Sequence, residues 1–301
     1  MIAVMNSQIK FGFGAAIALF VIGQLSASAA PAEANSLKPP AKGDIPIAFV
    51  ISEGAVVIDF CGPWEVFRDV MVSGGDHPFR LYTVSDKTDP ITAGGGMKIV
   101  PNYTFADAPA PKVIVIPAQS EPSAAMLKWI RESTKNTDVT MSVCTGAFVL
   151  AKTGLLSGKS ATTFHAAFGT FAMQFPDIKL KRGVRFVEDG NLASAGGLSS
   201  GIDLALRVVE RYYGRDVAQK TAYNMEYQGQ GWMNADSNQI YAAAPVSTEE
   251  HPLCPVCGMD VDVATAPKSV FKGKTYYFCS DDDKKTFDSA PDKFADATLR
   301  R

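Results

Sequence analysis

The chain has 301 residues, enough for one large domain and one small one. Its hydrophobic content of 47% and charged content of 20% are those of a folded globular protein. A net charge of −2 supplies no basic face and therefore no case for a nucleic-acid partner.

The first residues carry the three parts of a secretory signal: Lys10, the apolar run "FGFGAAIALFVIGQL", and the small residues Ala27, Ser28 and Ala29. The apolar run is shorter than the ~20 residues that span a bilayer, and no cysteine at the cleavage point suggests a lipid anchor. A cleaved signal over residues 1–29 is expected, with export to a bacterial periplasm and no stable membrane span afterwards. Loss of Lys10 changes the net charge from −2 to −3. Residues 30–44, rich in Pro and Ala, read as a disordered leader.

From Ile45, short apolar runs alternate with helical segments. "PIAFVIS" and "KVIVIP" are near-continuous and β-branched, as in strands buried on both faces of a parallel sheet. Between them the sequence predicts a helix opened by Gly62-Pro63, a strand "FRLYTVS" and a glycine-rich turn into "MKIVPNYTF". A helix over "EPSAAMLKWIREST" and a strand "DVTMSV" follow. In "GIDLALRVVERYYG", Ile202, Leu206, Val209 and Tyr213 recur at helical spacing before Gly214 stops the helix. This alternation predicts a doubly wound α/β domain over residues 45–232.

The strand "DVTMSV" runs directly into Cys144, Thr145 and Gly146. Reactive groups of open parallel sheets collect at the carboxyl ends of strands, where helix N-termini converge. A thiol there gains from the helix dipole and free N–H groups, which favour thiolate. Gly146 relieves crowding in the sharp turn, and Thr145 offers a hydroxyl beside the sulfur. The same pattern also suits a buried structural cysteine at an ordinary turn.

Beyond residue 232, "NADSNQIYAAAPVSTEE" reads as a linker over 233–250, and a small cysteine-containing unit follows over 251–298. That unit is too short to bury much core and needs a staple. An odd total of five cysteines leaves one thiol outside any intramolecular disulfide.

"IDFCGPWEVF", "VCTGAFVLAKTGLLSGKSATTFH" and "ASAGGLSSGIDLALRVVERYYGRDVAQKTAYNMEYQGQGW" together resemble the DJ/PfpI superfamily. The branch is that of isonitrile hydratases and the amidase-like halves of some AraC-type regulators, here without DNA-binding helices. The resemblance implies a flavodoxin-like, class I glutamine-amidotransferase-like sandwich, a homodimer, no cofactor in this domain, and Cys144 as nucleophile. It implies that Asp59 approaches the thiol as proton shuttle; Asp59 also suits the N-cap of the following helix. His165 stands either as general base or as a satisfied partner of backbone groups. Where many relatives carry paired glycines for an oxyanion hole, this chain has Ala118 and Gln119, whose N–H groups remain donors while the Gln119 side chain narrows the approach. Gly146 completes that substrate side. Cys61 reads as a buried small residue.

"CPVCGM", "FKGKTYYFCS" and "KKTF" before "SAPDKF" resemble a YHS domain, a type associated with heavy-metal handling. Cys254 and Cys257 offer two thiols from one turn, and Cys279 a third. Soft thiolates select zinc or Cu(I). Asp283 stands where relatives place a cysteine or histidine, and a carboxylate suits zinc better than Cu(I). His251 and Met259 are substitutes for the fourth ligand, and the alternatives to metal are a Cys254–Cys257 disulfide or a degenerate domain that holds no metal.

These readings give an exported, cysteine-dependent enzyme acting on a small electrophile, with a heavy-metal ion in its tail. The alternative is a periplasmic metal- or redox-responsive sensor without turnover, and a third is a dimeric scaffold that has lost activity.

Overall fold

The computed structural model describes residues 36–74, 76–243 and 247–295. The expected signal and the first part of the leader lie outside the described residues.

In chain order, β1 (Ile45–Val50) leads into α1 (Val57–Asp69) and β2 (Phe79–Ser85). The short pair β3 (Ile91–Thr92) and β4 (Lys98–Ile99) precedes β5 (Tyr103–Thr104). Next come β6 (Val113–Ile116), α2 (Ala124–Ser133), β7 (Val139–Val143) and α3 (Gly146–Lys152). Then β8 (Ser160–Ala161), α4 (Phe168–Gln174) and β9 (Lys179–Leu180) lead to the hairpin of β10 (Phe186–Asp189) and β11 (Leu192–Ala195). Helices α5 (Ser200–Tyr213) and α6 (Arg215–Asn224) close the large domain.

Seven strands form one sheet in the order β10-β11-β7-β6-β1-β2-β5. All neighbours are parallel except the edge pair β10–β11. The apolar runs of β1 and β6 build both faces at once. Ile47, Phe49, Val113 and Val115 enter one core, and Ala48, Val50, Ile114 and Ile116 enter the other. Each fully buried aliphatic side chain contributes about 1.5–3 kcal/mol. The expected doubly wound sandwich is the fold observed.

Helix α1 begins earlier than the Gly62-Pro63 pair suggested. Its buried stripe of Asp59, Phe60, Pro63, Val66 and Phe67 starts a turn before the proline. Pro63 therefore sits inside the helix, and the carbonyl of Asp59 lacks the N–H four residues on. Asp59 is not the N-cap; that position is Val56, with no side-chain cap. Gly214 stops α5 as its sequence suggests, with φ 85°.

Two stretches expected to be loose are tied to the domain. The Leu37 N–H donates to the Arg211 carbonyl at 2.7 Å, at the leader's described end. Beyond Trp232, the Arg185 N–H donates to the Ala235 carbonyl at 2.6 Å, and the Gln239 amide to the Gly183 carbonyl at 3.1 Å. Buried Asp203 anchors this end of the domain, accepting from Arg185 Nε at 2.6 Å, the Tyr227 hydroxyl at 3.1 Å and the Trp232 N–H at 3.0 Å.

The C-terminal unit pairs β12 (Lys268–Phe271) with β13 (Lys274–Tyr277) and ends in α7 (Asp281–Ser289) and α8 (Pro291–Ala295). Its small core is built on Cys254, Val261, Tyr276, Phe278, Phe287 and Phe294. Ser280 caps α7, its hydroxyl accepting from the Asp283 N–H at 3.1 Å. Among the described residues no helix is long and apolar enough to cross a membrane.

Candidate functional site

Cys144 ends β7 in the left-handed region, with φ 57°. A non-glycine residue there is strained by roughly 1–3 kcal/mol and persists only where its surroundings hold it. They do so on every side. Its N–H lies 3.2 Å from the Ala195 carbonyl and 2.9 Å from that of Gly196, and its own carbonyl accepts from the Thr163 hydroxyl at 2.9 Å. Gly146 is required two residues on: a Cβ there would lie 2.2 Å from the Ile116 carbonyl oxygen. The strand-to-helix turn therefore has the sharp geometry of a nucleophile elbow.

Asp59 reaches this turn from α1 and is wholly buried. Its Oδ2 accepts from the Ala118 N–H at 3.2 Å, its carboxyl meets the Cys144 thiol, and Oδ1 has no partner of ordinary hydrogen-bond geometry. Burial raises this carboxyl to about 6, against the lowering effect of the bonds from Ala118 and Cys144. The expected low-pKa thiol is corrected here. Burial, with Cys144 only 7% exposed, and the charge of Asp59 push the thiol up to about 12. The N–H groups of Thr145 and Leu198 act in the opposite direction and are outweighed. Between those two values the pair holds one proton in common, resting on sulfur with the carboxylate beside it.

The other expected residues divide. Thr145 precedes α3, makes no capping bond, and lines a cleft beside the elbow. The Ala118 N–H is committed to Asp59, so it is not a free oxyanion donor. Gln119 is clamped: its Oε1 accepts from Ser52 at 2.8 Å and its Nε2 donates to the Val50 carbonyl at 3.1 Å. Gln119 also lines that cleft. His165 makes no hydrogen bond to the pair; its ring packs between Phe164 and Tyr241, with centroids at 4.4 and 4.5 Å. Burial lowers its pKa. Cys61 is half-buried against the core. Leu198 was not foreseen. It holds φ 46° where β11 passes into α5, and its N–H points at the sulfur. The adjoining Gly196 and Gly197 are its only sequence mark.

In the C-terminal unit, Cys254, Cys257, Cys279 and Asp283 come together as expected, their ligand atoms all within 4.8 Å of one another. The Cys254 and Cys279 thiols donate to Asp283 Oδ2 at 3.3 and 3.1 Å, and the sulfurs of Cys257 and Cys279 are 3.3 Å apart. Tetrahedral zinc with Zn–S bonds of about 2.3 Å needs ligand separations of about 3.8 Å, so this donor set fits with small adjustments. All five cysteines are free thiols. The hydrogen bond from Cys257 lowers Cys254 to about 7, while Cys257 itself is driven up by that bond and by burial. His251 instead lies 3.6 Å from Asp260, and Met259 lines the cleft near the elbow.

Comparison with known proteins places these parts. The DJ-1/PfpI family pattern matches residues 46–211, and the YHS domain pattern residues 254–298. An isonitrile hydratase of Pseudomonas putida is 34% identical over 186 residues, covering 60% of this chain and 78% of that protein. The HTH-type transcriptional regulator CdhR of Pseudomonas aeruginosa is 26% identical over 176 residues, about half of its length. A THiJ/PfpI family protein from Pseudomonas syringae superposes with TM-score 0.56 at 28% identity, covering 64% of this chain and 79% of that one. Drosophila melanogaster DJ-1beta gives TM-score 0.53 at 19% identity over 62% of this chain and the whole of that one, a likeness of fold. The chain belongs to the DJ-1/PfpI family and carries a YHS domain at its C-terminal end.

Proposed function

We propose that the protein is a cysteine-dependent hydratase that adds water to a small electrophile of the isonitrile type. The observation that carries this reading is the buried Asp59 carboxyl set against the Cys144 thiol at the sharp turn. The 34% identity to an isonitrile hydratase supports the choice of electrophile.

In this reading sulfur attacks the terminal carbon of R–N≡C while its proton passes to Asp59. Asp59 returns that proton to the same carbon, leaving the thioimidate R–N=CH–S–Cys144. Water then adds to the C=N bond, its hydroxyl on carbon and its proton on nitrogen, with Asp59 orienting it. Collapse breaks the C–S bond, sends the hydroxyl proton back to sulfur through Asp59, and releases R–NH–CHO. The Thr145 and Leu198 N–H groups face the sulfur and stabilise negative charge as it develops there.

Turnover of aliphatic and aromatic isonitriles, followed by formamide proton resonances, tests the reading. Product is expected from the wild type and a loss of at least about 10³-fold from Cys144→Ala. Absence of formamide from every isonitrile tried would sink it. The sensor alternative is disfavoured because peroxide oxidises exposed thiolates, and Cys144 is a buried thiol.

Three further elements belong to the same reading. The Cys254, Cys257, Cys279 and Asp283 set holds zinc, which would cross-link the small unit. Residues 1–29 direct export to the periplasm, so N-terminal sequencing of secreted protein should begin at Ala30. The working form is a homodimer, which sedimentation equilibrium would reveal as twice the chain mass.

A further inference from the structure

A cleft of about 370 Å³ lies beside the elbow. Thr145, Phe148 and Val149 at the start of α3 form one wall, Gln119 to Pro122 a second, and Phe164 to Gln174 a third. Its last wall comes from the other domain: Cys257 and Met259, in the turn that carries the first two cluster thiols. The contact is specific, since the Thr170 hydroxyl of α4 donates to the Val256 carbonyl at 3.2 Å. Cys257 thus faces the cleft and the cluster at once.

The lining is mostly apolar, and its two charges, Lys152 and Glu121, pair with each other. Such a surface accepts a small uncharged, largely hydrocarbon molecule and gives no net reward to an ion. Two backbone bonds close the turn, from the Cys254 N–H to the Met259 carbonyl and from the Gly258 N–H to the Cys254 carbonyl, both 2.8 Å. A metal ion across the four ligands would fix this turn, because its binding free energy becomes folding free energy of the unit.

We infer that this cleft is a two-domain binding site for a small uncharged organic molecule, and that metal occupancy of the Cys254, Cys257, Cys279 and Asp283 cluster tightens it. The inference rests on the metal reading of the cluster and is independent of turnover at Cys144. Linkage makes it reciprocal: an occupant of the cleft must strengthen metal binding by the factor by which metal strengthens its own.

The test uses full-length protein, the neutral fluorophore N-phenyl-1-naphthylamine, and zinc buffered by a chromophoric chelator. Fluorophore Kd is measured with zinc and after chelation, and zinc Kd with and without saturating fluorophore. Tightening of about five-fold or more is expected in both directions, by equal factors. Ala167→Trp, which fills the cleft, should abolish fluorophore binding while zinc still binds. Thr170→Val, which removes the docking bond, should shrink the coupling factor without loss of zinc. Failure of zinc to bind overturns the metal reading and the inference together. Zinc binding with unchanged or weaker fluorophore affinity overturns the inference alone, as does undiminished fluorophore binding in Ala167→Trp.

Discussion

Asp59 carries an electrostatic cost when it is ionised in the folded protein. Its carboxyl is raised from 3.8 to about 6 in the folded protein. Between those values the folded state binds more protons than the unfolded one, so stability falls as pH rises through that window. The destabilisation is complete above about 6 and absent well below 3.8. Asp59→Asn should therefore stabilise the protein at pH 8 by about 2–3 kcal/mol and leave it little changed near pH 3. Urea unfolding at the two pH values measures this, and equal effects at both would refute the cause assigned to the shift. The proximity of Asp59 to Cys144 was legible in the sequence because the family motif names that position. The direction of the thiol's pKa was not. A helix N-terminus argues for thiolate from local sequence alone, whereas burial and the neighbouring carboxylate arise only when α1 packs against the end of β7. Leu198 was illegible for another reason: it acts through its main-chain N–H, and any residue type supplies one.

At the scale of elements, the site depends on how closely α3 approaches the end of β6. A Cβ on residue 146 would sit 2.2 Å from the Ile116 carbonyl oxygen and 2.8 Å from the Pro117 carbonyl carbon. Both obstacles are backbone, so neither can swing aside as a side chain would. Gly146→Ala should cost about 2–3 kcal/mol through forced backbone shifts and displace Cys144 from Asp59. Thermal unfolding checks the first effect and residue-resolved alkylation the second; a variant of wild-type stability would show that the turn yields. The strands were the most legible elements, since β1 and β6 are near-continuous apolar runs and β2 and β7 are short β-favouring runs between turn residues. The start of α1 was less so. Gly62-Pro63 looks like a helix opening, but the buried stripe from Asp59 to Phe67 sets the helix, and Pro63 is accommodated within it. His165 shows the same limit, because its packing against Tyr241 joins residues far apart in sequence.

For the whole molecule, one cleft is lined both by Thr145, beside the elbow, and by Cys257 of the C-terminal cluster. The large domain has cores on both faces of its sheet, while the C-terminal unit buries a handful of aromatic and aliphatic groups. Such a unit needs its staple, and the four-ligand cluster is positioned to supply it. Chelation should therefore strip hydrogen-exchange protection from the amides of β12, β13 and α7 by more than ten-fold, with β1, β6 and β7 unaffected. Equal protection in both states would mean that the unit folds without metal. The four clustered residues were legible because their motifs resemble a YHS domain, with Asp283 standing where relatives place a cysteine or histidine. That Cys257 and Met259 wall a cleft next to Thr145 was not, since docking between domains leaves no local pattern.

In the proposed mechanism Cys144 and Asp59 form one proton-sharing pair in which the carboxylate activates the thiol. The most direct test is the rate of Cys144 alkylation by iodoacetamide from pH 4.5 to 10, read at that residue by mass spectrometry. In the wild type the rate should rise with a midpoint near 6, where Asp59 ionises, and then level off. In Asp59→Asn that limb should vanish, leaving only the limb of the thiol itself at higher pH. A limb near 6 that survives in Asp59→Asn would belong to the sulfur and contradict the shared proton. A Cys144 inert at every pH would make the thiol structural.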